Sequence, residues 1–480
     1  MSLDHLQNDP LIRQRLEKLR ILEESGVRPF GDAFPGVVPI AQLLLEFAEG
    51  RKVRIAGRVM TRRDMGKSIF AHLRDGSGKM QIYFSIDGVE EKGFEIFKKL
   101  VDLGDFVGVD GELFYTKTGE KTLKVRKLTF LSKALRPLPD KWHGLSDSEQ
   151  RYRQRYLDLL VNEESRVMLE KRFLLMREVR RFFESHGFLE VETPMMQPIA
   201  GGAAARPFVT HHNALNLQLY LRIAPELYLK RLLVGGFEKV FEMNRNFRNE
   251  GISRRHNPEF TMLEAYWAYA DYKMCAELVE QLIFDLAQKI QYNGKIDFSL
   301  PFRRIEYCDA VRNVAGQDWF ALRKEQKLAR AHELGVQCEE NLKDFEITQQ
   351  VFEKLVEAKT QNPTFYIHPP KELIPLAKCN PDNPNVLDVF ELVIAGVEIA
   401  PGYSELNDPL TQRARLLEQS GGDTHLVDED FLLALEHGMP PAGGFGIGID
   451  RLAMILCEAE SIRDVILFPL LKPRETGPTA

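Results

Sequence analysis

An α+β chain of two domains, a small N-terminal β-barrel and then a larger mixed domain, is the architecture predicted by this 480-residue sequence. Three observations carry that expectation. Five short β-like runs follow one another between Val53 and Leu131, separated by polar turns. A connector broken by prolines, L-R-P-L-P-D at Leu135–Asp140, then ends the strand rhythm. Beyond it, helical and strand patterns alternate, and two motif-rich segments stand about two hundred residues apart. The length allows two to four domains and a sizeable core.

The elements follow in order. Asp9–Ser25 places Leu11, Ile12, Leu16, Leu19 and Leu22 near helical spacing among charges, which predicts an amphipathic helix. The runs V-R-I-A-G-R-V-M, S-I-F-A-H-L-R, K-M-Q-I-Y-F-S, F-V-G-V-D-G-E-L-F and L-K-V-R-K-L-T-F-L are the five strands, with turns such as Asp75-Gly76-Ser77-Gly78 and Lys117-Thr118-Gly119-Glu120 between them. That strand count is the one found in the oligonucleotide-binding (OB) barrel. After the connector come a charged helical region (Asp147–Leu160) and a longer helix (Glu164–His186) that Gly187 ends. F-L-E-V-E-T-P-M-M then reads as a strand stopped or bent by Pro194. Asp297–Asn385 is charged, helical in texture and poor in motifs, as expected of an insertion, and only the tail E-T-G-P-T-A is low in complexity. The boundaries expected are 1–140 for helix plus barrel and 141–480 for the second domain, with the insertion at 297–385.

Composition narrows the class. With 44% hydrophobic and 28% charged residues, the chain is ordinary for a globular protein. No apolar run approaches the roughly 20 residues that span a bilayer. The first residues lack the basic and apolar regions of a signal peptide, so no membrane association and a cytoplasmic location are expected. Five cysteines without C-x-x-C spacing argue against a disulfide framework or a zinc site. Net charge is −6, yet Arg51–Lys79 holds nine Lys/Arg against Asp64 and Asp75. Such a run is usually a solvated face; here it also permits RNA docking.

The most informative segments are F-R-N-E-G-I-S-R-R-H-N-P-E-F at Phe247–Phe260 and G-G-F-G-I-G-I-D-R at Gly443–Arg451. Each sets an arginine, Arg248 or Arg451, among groups suited to polyphosphate, and arginine grips phosphate oxygens bidentately. Phe260 is suited to stacking on a base. Two other nucleotide motifs fail on spacing: Gly66-Lys67-Ser68 lacks the leading glycine of a P-loop because position 61 is Thr61, and Gly444-x-Gly446 meets Ile449 where a dinucleotide fingerprint needs glycine. Glu226 lies in apolar A-P-E-L-Y-L, where a surface glutamate is less expected. Glu391 and Glu398 flank L-V-I-A-G-V; seven apart on one strand they would face opposite ways unless a bulge near Gly396 united them.

The two segments resemble motifs 2 and 3 of the class II aminoacyl-tRNA synthetases. G-L-S-D-S-E-Q-R-Y-R-Q-R-Y-L-D-L (Gly144–Leu159), A-R-P-F-V-T-H-H-N-A-L (Ala205–Leu215), R-I-A-P-E-L-Y-L-K-R-L (Arg222–Leu232) and Y-S-E-L-N-D-P (Tyr403–Pro409) resemble the lysine-specific, bacterial-type branch. The likeness runs from about residue 10 to about residue 470. It implies an OB-fold anticodon-binding domain and a catalytic domain on an antiparallel sheet flanked by helices. The implied activity is ATP-dependent formation of lysyl-adenylate and transfer of lysine to lysine tRNA. By the same resemblance Arg248 and Arg451 are catalytic, and Glu250, His256, Asn257 and Phe260 join them on ATP. Gly202, Glu226, Glu264, Tyr266, Tyr403 and Glu405 hold lysine. Glu391 and Glu398 hold Mg²⁺, and Arg63, Phe70, Gln81 and Glu120 read the anticodon. The helix–strand–proline unit resembles motif 1, which implies a homodimer.

One position departs from the family. A-P-G-Y-S-E-L at Ala400–Leu406 has Pro401 where many bacterial relatives have an asparagine that assists at the substrate carboxylate, and proline offers neither an amide side chain nor an N–H. Phe70 has an alternative as an inward barrel side chain. Two other activities fit parts of the pattern: a synthetase-like ligase that lysylates a protein, and a nucleic-acid-binding protein with an inactive synthetase fold. The barrel argues against the first and the intact Arg248, Glu250, Glu391, Glu398 and Arg451 against the second.

Overall fold

The computed structural model describes residues 9–139, 145, 147–203, 205–374, 377–419 and 427–473, and the chain forms two compact units, Met1–Gly144 and Leu145–Ala480. The first eight residues, the end of the proline connector at Asp140, Gly144 and Ser146 of the G-L-S-D block, and the E-T-G-P-T-A tail lie outside the described residues.

In the first unit, Asp9 caps the helix Pro10–Glu24 by accepting from the Leu11 N–H at 2.8 Å, which satisfies a donor the helix leaves free. Five strands follow: β1 (Lys52–Asp64), β2 (Ser68–Arg74), β3 (Lys79–Ser85), β4 (Phe106–Tyr115) and β5 (Lys121–Ser132). They close into a barrel in the order β1-β2-β3-β5-β4, the fold expected from the strand rhythm. Alternation decides what faces where. Ile69, Ala71, Leu73, Met80, Ile82 and Phe84 point inward into one apolar core, while Phe70, His72, Gln81 and Tyr83 are left on the outer surface. The helix Glu91–Lys99 between β3 and β4 was not legible as a separate element; its Phe94 and Phe97 join the barrel core.

The second unit refines two expectations. The region Asp147–Leu160 is two short helices, Ser148–Arg153 and Arg155–Val161, because Gln154 leaves helical geometry at ψ 50°. F-L-E-V-E-T-P-M-M is not one strand: it gives β6 (Leu189–Glu190) and, past Pro194, β7 (Met196–Gln197) in another sheet. Proline cannot donate to a ladder, which separates the two pieces. The helix Glu163–Ser185 ends as expected, with Gly187 at φ +80°.

Further strands are β8 (Val209–His212), β9 (Leu217–Leu221), β10 (Lys239–Phe247), β11 (Glu259–Ala268), β12 (Arg303–Glu306), β13 (Thr364–Ile367), β14 (Val389–Ile394), β15 (Val397–Ser404) and β16 (Ala442–Ile447). An eight-stranded sheet runs β12-β13-β14-β15-β16-β11-β10-β6. It is antiparallel from β13 to β10 and parallel only at its two outer pairings. One face carries Phe241, Leu263, Ala265, Phe390, Phe445 and Ile447, which share a core with side chains of the helices Glu163–Ser185, Tyr272–Lys289 and Ile449–Leu456. The segment around residues 303–366 builds a separate core of its own, centred on Tyr307, Trp319, Val351 and Phe352.

Candidate active site

Residues opposite each other in an antiparallel pair point to the same side of the sheet. The pairs Glu242↔Glu264, Asn244↔Met262, Asn246↔Phe260, Glu264↔Gly446, Tyr266↔Gly444, Tyr403↔Gly444 and Glu391↔Pro401 therefore put one polar surface on the face away from the helical core. Sequence periods that alternate apolar and polar along β10 and β11 have this result directly.

One end of that surface is a cleft. It is lined by Arg248, Glu250, His256, Asn257, Phe260, Glu398, Pro401, Gly446, Gly448 and Arg451, so all six residues expected on ATP lie together. The Arg248 guanidinium stands 5.2 Å from the Phe260 ring centroid, and its buried Nε has no hydrogen-bond partner among the described residues. Arg451, in the first turn of the helix that opens after Gly448, donates to the Glu398 carbonyl at 3.0 Å and contacts His256 Nε2 at 3.0 Å. Burial and then the Arg451 charge hold the His256 pKa below its ordinary value, so the ring is neutral at physiological pH. Arginine only donates, so Nε2 accepts, Nδ1 carries the proton, and that N–H donates to Ser253 Oγ at 2.8 Å. Arg172 and Asp450, which the sequence did not single out, brace the floor. They pair at 2.5 Å, and Asp450 Oδ2 accepts from the Thr261 N–H at 2.8 Å.

The glycines of β16 divide by what a side chain would meet. At Gly444 a Cβ would lie 2.0 Å from Glu405 Oε1, and at Gly443 it would lie 2.5 Å from Cys275 Sγ. At Gly446 and Gly448 the nearest atoms are 3.4 Å and 3.5 Å away, and both line the cleft. The first two glycines leave no room for a side chain; at the second two a Cβ would meet only ordinary van der Waals contacts.

Glu391 and Glu398 are brought together by a different device from the bulge expected near Gly396. They stand on neighbouring strands of a hairpin whose two-residue turn, Ala395-Gly396, has φ +51° and +69°. Both positive angles mark the tight turn that matches strand twist. A register shift does occur, between Leu392 and Val393. Glu357 joins the pair by accepting from the Glu398 N–H at 3.3 Å. Burial, then Glu398, Glu357 and Glu353, push the Glu391 pKa up to about 8; burial and Glu398 push Glu357 up to about 7. Like charges crowded in this way favour a counter-cation. Among the described residues no group of three or more His, Cys, Asp or Glu is arranged to hold a metal ion, so what the chain offers is a pair of carboxylates supported by neighbours.

The opposite end of the polar surface is a pocket of buried charge. Glu226 opens the helix Glu226–Val234, Glu405 follows β15, and Glu264 and Tyr266 lie two apart on β11. Gly202, at φ +85°, approaches so closely that a Cβ there would stand 3.0 Å from Glu226 Cβ. The Tyr266 hydroxyl donates to Glu264 Oε2 at 3.1 Å. Burial and then Glu226 push the Glu264 pKa up to about 8, and burial dominates in raising Glu405 to about 7. Tyr403 is held well above its ordinary range by burial and then by the charges of Glu398, Glu226 and Glu405. The sequence missed Lys230. Its fully buried ammonium lies 2.6 Å from Glu226 Oε1 and 2.6 Å from Glu405 Oε2. The signal was an i,i+4 Glu–Lys spacing, which on most helices marks a solvent pair.

On the barrel, Arg63, Phe70, Gln81 and Glu120 line one surface groove with Thr61, Arg62 and His72. Phe70 lies outside the barrel core, its ring 4.9 Å from that of Tyr83. Gln81 donates to Glu120 Oε2 at 2.8 Å and accepts from Thr122 Oγ1 at 2.9 Å.

Comparison with known proteins agrees with both units. Residues 147–472 match the family described as tRNA synthetases class II (D, K and N), and residues 53–131 match an OB-fold nucleic acid binding domain. The chain belongs to the class II tRNA synthetases of that group. Relatives named Lysine–tRNA ligase include those of Syntrophomonas wolfei, 50% identical over 99% of this chain and 100% of the relative, and Pelotomaculum thermopropionicum, 52% identical over 97% and 95%. Another of that name, from Coxiella burnetii, is 52% identical over 89% of each chain.

Proposed function

We infer that the chain charges lysine tRNA with L-lysine in an ATP-dependent reaction. The observation that carries the reading is the pocket of Glu226, Glu264 and Glu405 on the same sheet face as the arginine-lined cleft: buried carboxylates are what a desolvated ammonium requires. In the first step an oxygen of the lysine carboxylate attacks the α-phosphorus of ATP, the bond to the bridging oxygen breaks, and pyrophosphate leaves. In the second, the terminal ribose hydroxyl of the tRNA attacks the lysyl carbonyl and AMP leaves. No protein nucleophile is involved. Arg248 holds the α-phosphate and the lysine carboxylate, Arg451 the other side of the nucleotide, and Phe260 stacks on the adenine, with Glu250, His256 and Asn257 around it. Catalysis is then positioning plus electrostatic stabilisation.

Glu226, Glu405 and Tyr266 receive the side-chain ammonium, Glu264 the α-ammonium with Gly202 beside it, and Tyr403 closes the pocket. The crowded Glu391 and Glu398 fit Mg²⁺, which takes one or two carboxylates plus substrate phosphates. When bound there, Mg²⁺ supplies positive charge against the polyphosphate. Pro401 lies next to Gly402, where the registered pairing of β15 with β16 begins.

The barrel groove reads the anticodon, with Phe70 stacking on a base and Arg63, Gln81 and Glu120 at base edges and backbone. Residues 1–140 then serve tRNA, 141–480 serve catalysis, and 297–385 are an insertion. The homodimer reading rests on the Glu164–Pro194 helix–strand unit, which resembles motif 1 and on which Val167 and Phe173 stand exposed. A solution-scattering mass of one chain at micromolar concentration is the result against it. Among the described residues no helix is long and apolar enough to cross a membrane, and a cytoplasmic location suits the reaction. The test of the activity is ATP–pyrophosphate exchange with each of the twenty amino acids. Lysine alone is expected to support it; exchange with aspartate or asparagine instead overturns the reading.

A further inference from the structure

We infer that Lys230 is a positioning residue of the amino-acid pocket, a resident ammonium that sets the pocket's charge so that one further ammonium, that of the substrate side chain, completes it. This rests on the reading of the pocket given above.

Lys230 is 0% exposed, and taking an ammonium out of water is expensive unless its partners are well placed. A buried ion pair of this kind can often be replaced by apolar groups without loss of stability, so stability alone does not explain it. Its geometry is specific. The helix Glu226–Val234 sets Glu226 and Lys230 one turn apart, and Lys230 donates to Glu226 Oε1 at 2.6 Å. The same ammonium lies 2.6 Å from Glu405 Oε2, so it bridges the two carboxylates. The far oxygen, Glu405 Oε1, is pressed against Gly444. Tyr266 covers the ammonium from β11, its ring centroid 5.9 Å away.

The charges then add up in a particular way. With the substrate ammonium in place, Glu226 and Glu405 together carry two negative charges, and Lys230 returns one positive charge. One negative charge is left, which matches one incoming ammonium. Glu264 stands apart from this count as partner of the α-ammonium. Without Lys230, the two neighbouring carboxylates repel each other in a desolvated site and one of them takes up a proton, as carboxylates that share a site do. That acid is turned from an acceptor into a donor, which faces the substrate ammonium with the wrong polarity.

The test uses the full-length protein and ATP–pyrophosphate exchange with lysine, wild type run alongside. Lys230→Met keeps length and removes charge. Its KM for lysine is expected to rise at least about tenfold, with kcat and the KM for ATP changing less than about threefold. The double variant Lys230→Met/Glu405→Gln restores the net charge and is expected to regain at least about threefold of the lost KM. Circular dichroism and thermal unfolding are read for each. Should Lys230→Met fail to fold while the double variant folds and activates lysine, the charge role stands. A wild-type KM for lysine in Lys230→Met, equal loss for lysine and ATP, or failure of both variants to fold overturns the inference and leaves the lysine reading intact. Absence of lysine-dependent exchange in the wild type removes both.

Discussion

The barrel groove and the buried acidic pocket are built by opposite means. The groove presents Phe70, Gln81 and Glu120 from the outer surface of β2 and β3 and the turn before β5, where water still screens every charge. The pocket buries Glu226, Glu264, Glu405 and Lys230, and there the same charge types shift one another's proton affinities. An exposed site tolerates error and gains affinity contact by contact. A buried site is all or nothing, because an unpaired charge there has no solvent to fall back on.

That contrast sets the order of expected effects. Arg248→Ala, in the cleft, is expected to lower exchange by at least about 10³-fold, the upper range for losing a group that stabilises transition-state charge, while tRNA binding to the barrel persists. Exchange within tenfold of wild type would move the catalytic assignment elsewhere. Next comes Glu226→Gln, which keeps shape and removes one charge. A buried charged hydrogen bond lost on one side costs about 2–5 kcal/mol, so lysine kcat/KM falls by about 30-fold to several thousand-fold with ATP binding little changed. An unchanged lysine KM and turnover would remove this pocket from amino-acid recognition.

Phe70→Ala is expected to act more gently. It should weaken charging of lysine tRNA by about 1–3 kcal/mol, the usual worth of one base stack, and leave exchange near wild type. Normal charging would shift the anticodon assignment to other residues of the groove.

A further effect is a pH dependence, and its sign follows from the raised pKa values of the free pocket. Glu264 titrates near 8 and Glu405 near 7, so both hold protons over part of the range below those values. An incoming ammonium needs the ionised forms, so binding releases protons and tightens as pH rises. Lysine KM should fall between about pH 6 and pH 8 and then level off, since each carboxyl that must lose a proton weakens binding by up to about tenfold for every pH unit below its pKa, and two such groups compound to about 10²-fold or more over that window. A KM that rises over that window would contradict the assignment of Glu264 and Glu405.

How much of this was legible differed between the two regions for a physical reason. Strand alternation alone puts Phe70 and Gln81 on the outside once Ile69, Ala71, Met80 and Ile82 are recognised as core, and it puts Glu264 and Tyr266 on one face. The link between Glu391 and Glu398 was not legible, because Ala395-Gly396 is an inconspicuous turn inside an apolar run. Lys230 was hidden more deeply. Its spacing from Glu226 is that of countless exposed helix pairs, and only the arrival of Glu405 from residues far along the chain makes it an interior cation. The break between the two short helices at Gln154 was lost at an element boundary, where local pattern competes with tertiary contacts.

Gly444 bears on any attempt to redesign the pocket. Because the carboxylate of Glu405 rests where a methyl group would otherwise be, β16 fixes the depth of the pocket by its backbone and not by an exchangeable side chain. An engineer who wants a bulkier amino acid gains nothing by trimming this wall, which has nothing left to remove. Room has to be found across from it, at Tyr266 or Tyr403, and a residue added at 444 would unseat the carboxylate before it narrowed the pocket. The strand is a gauge block against which the other walls are set.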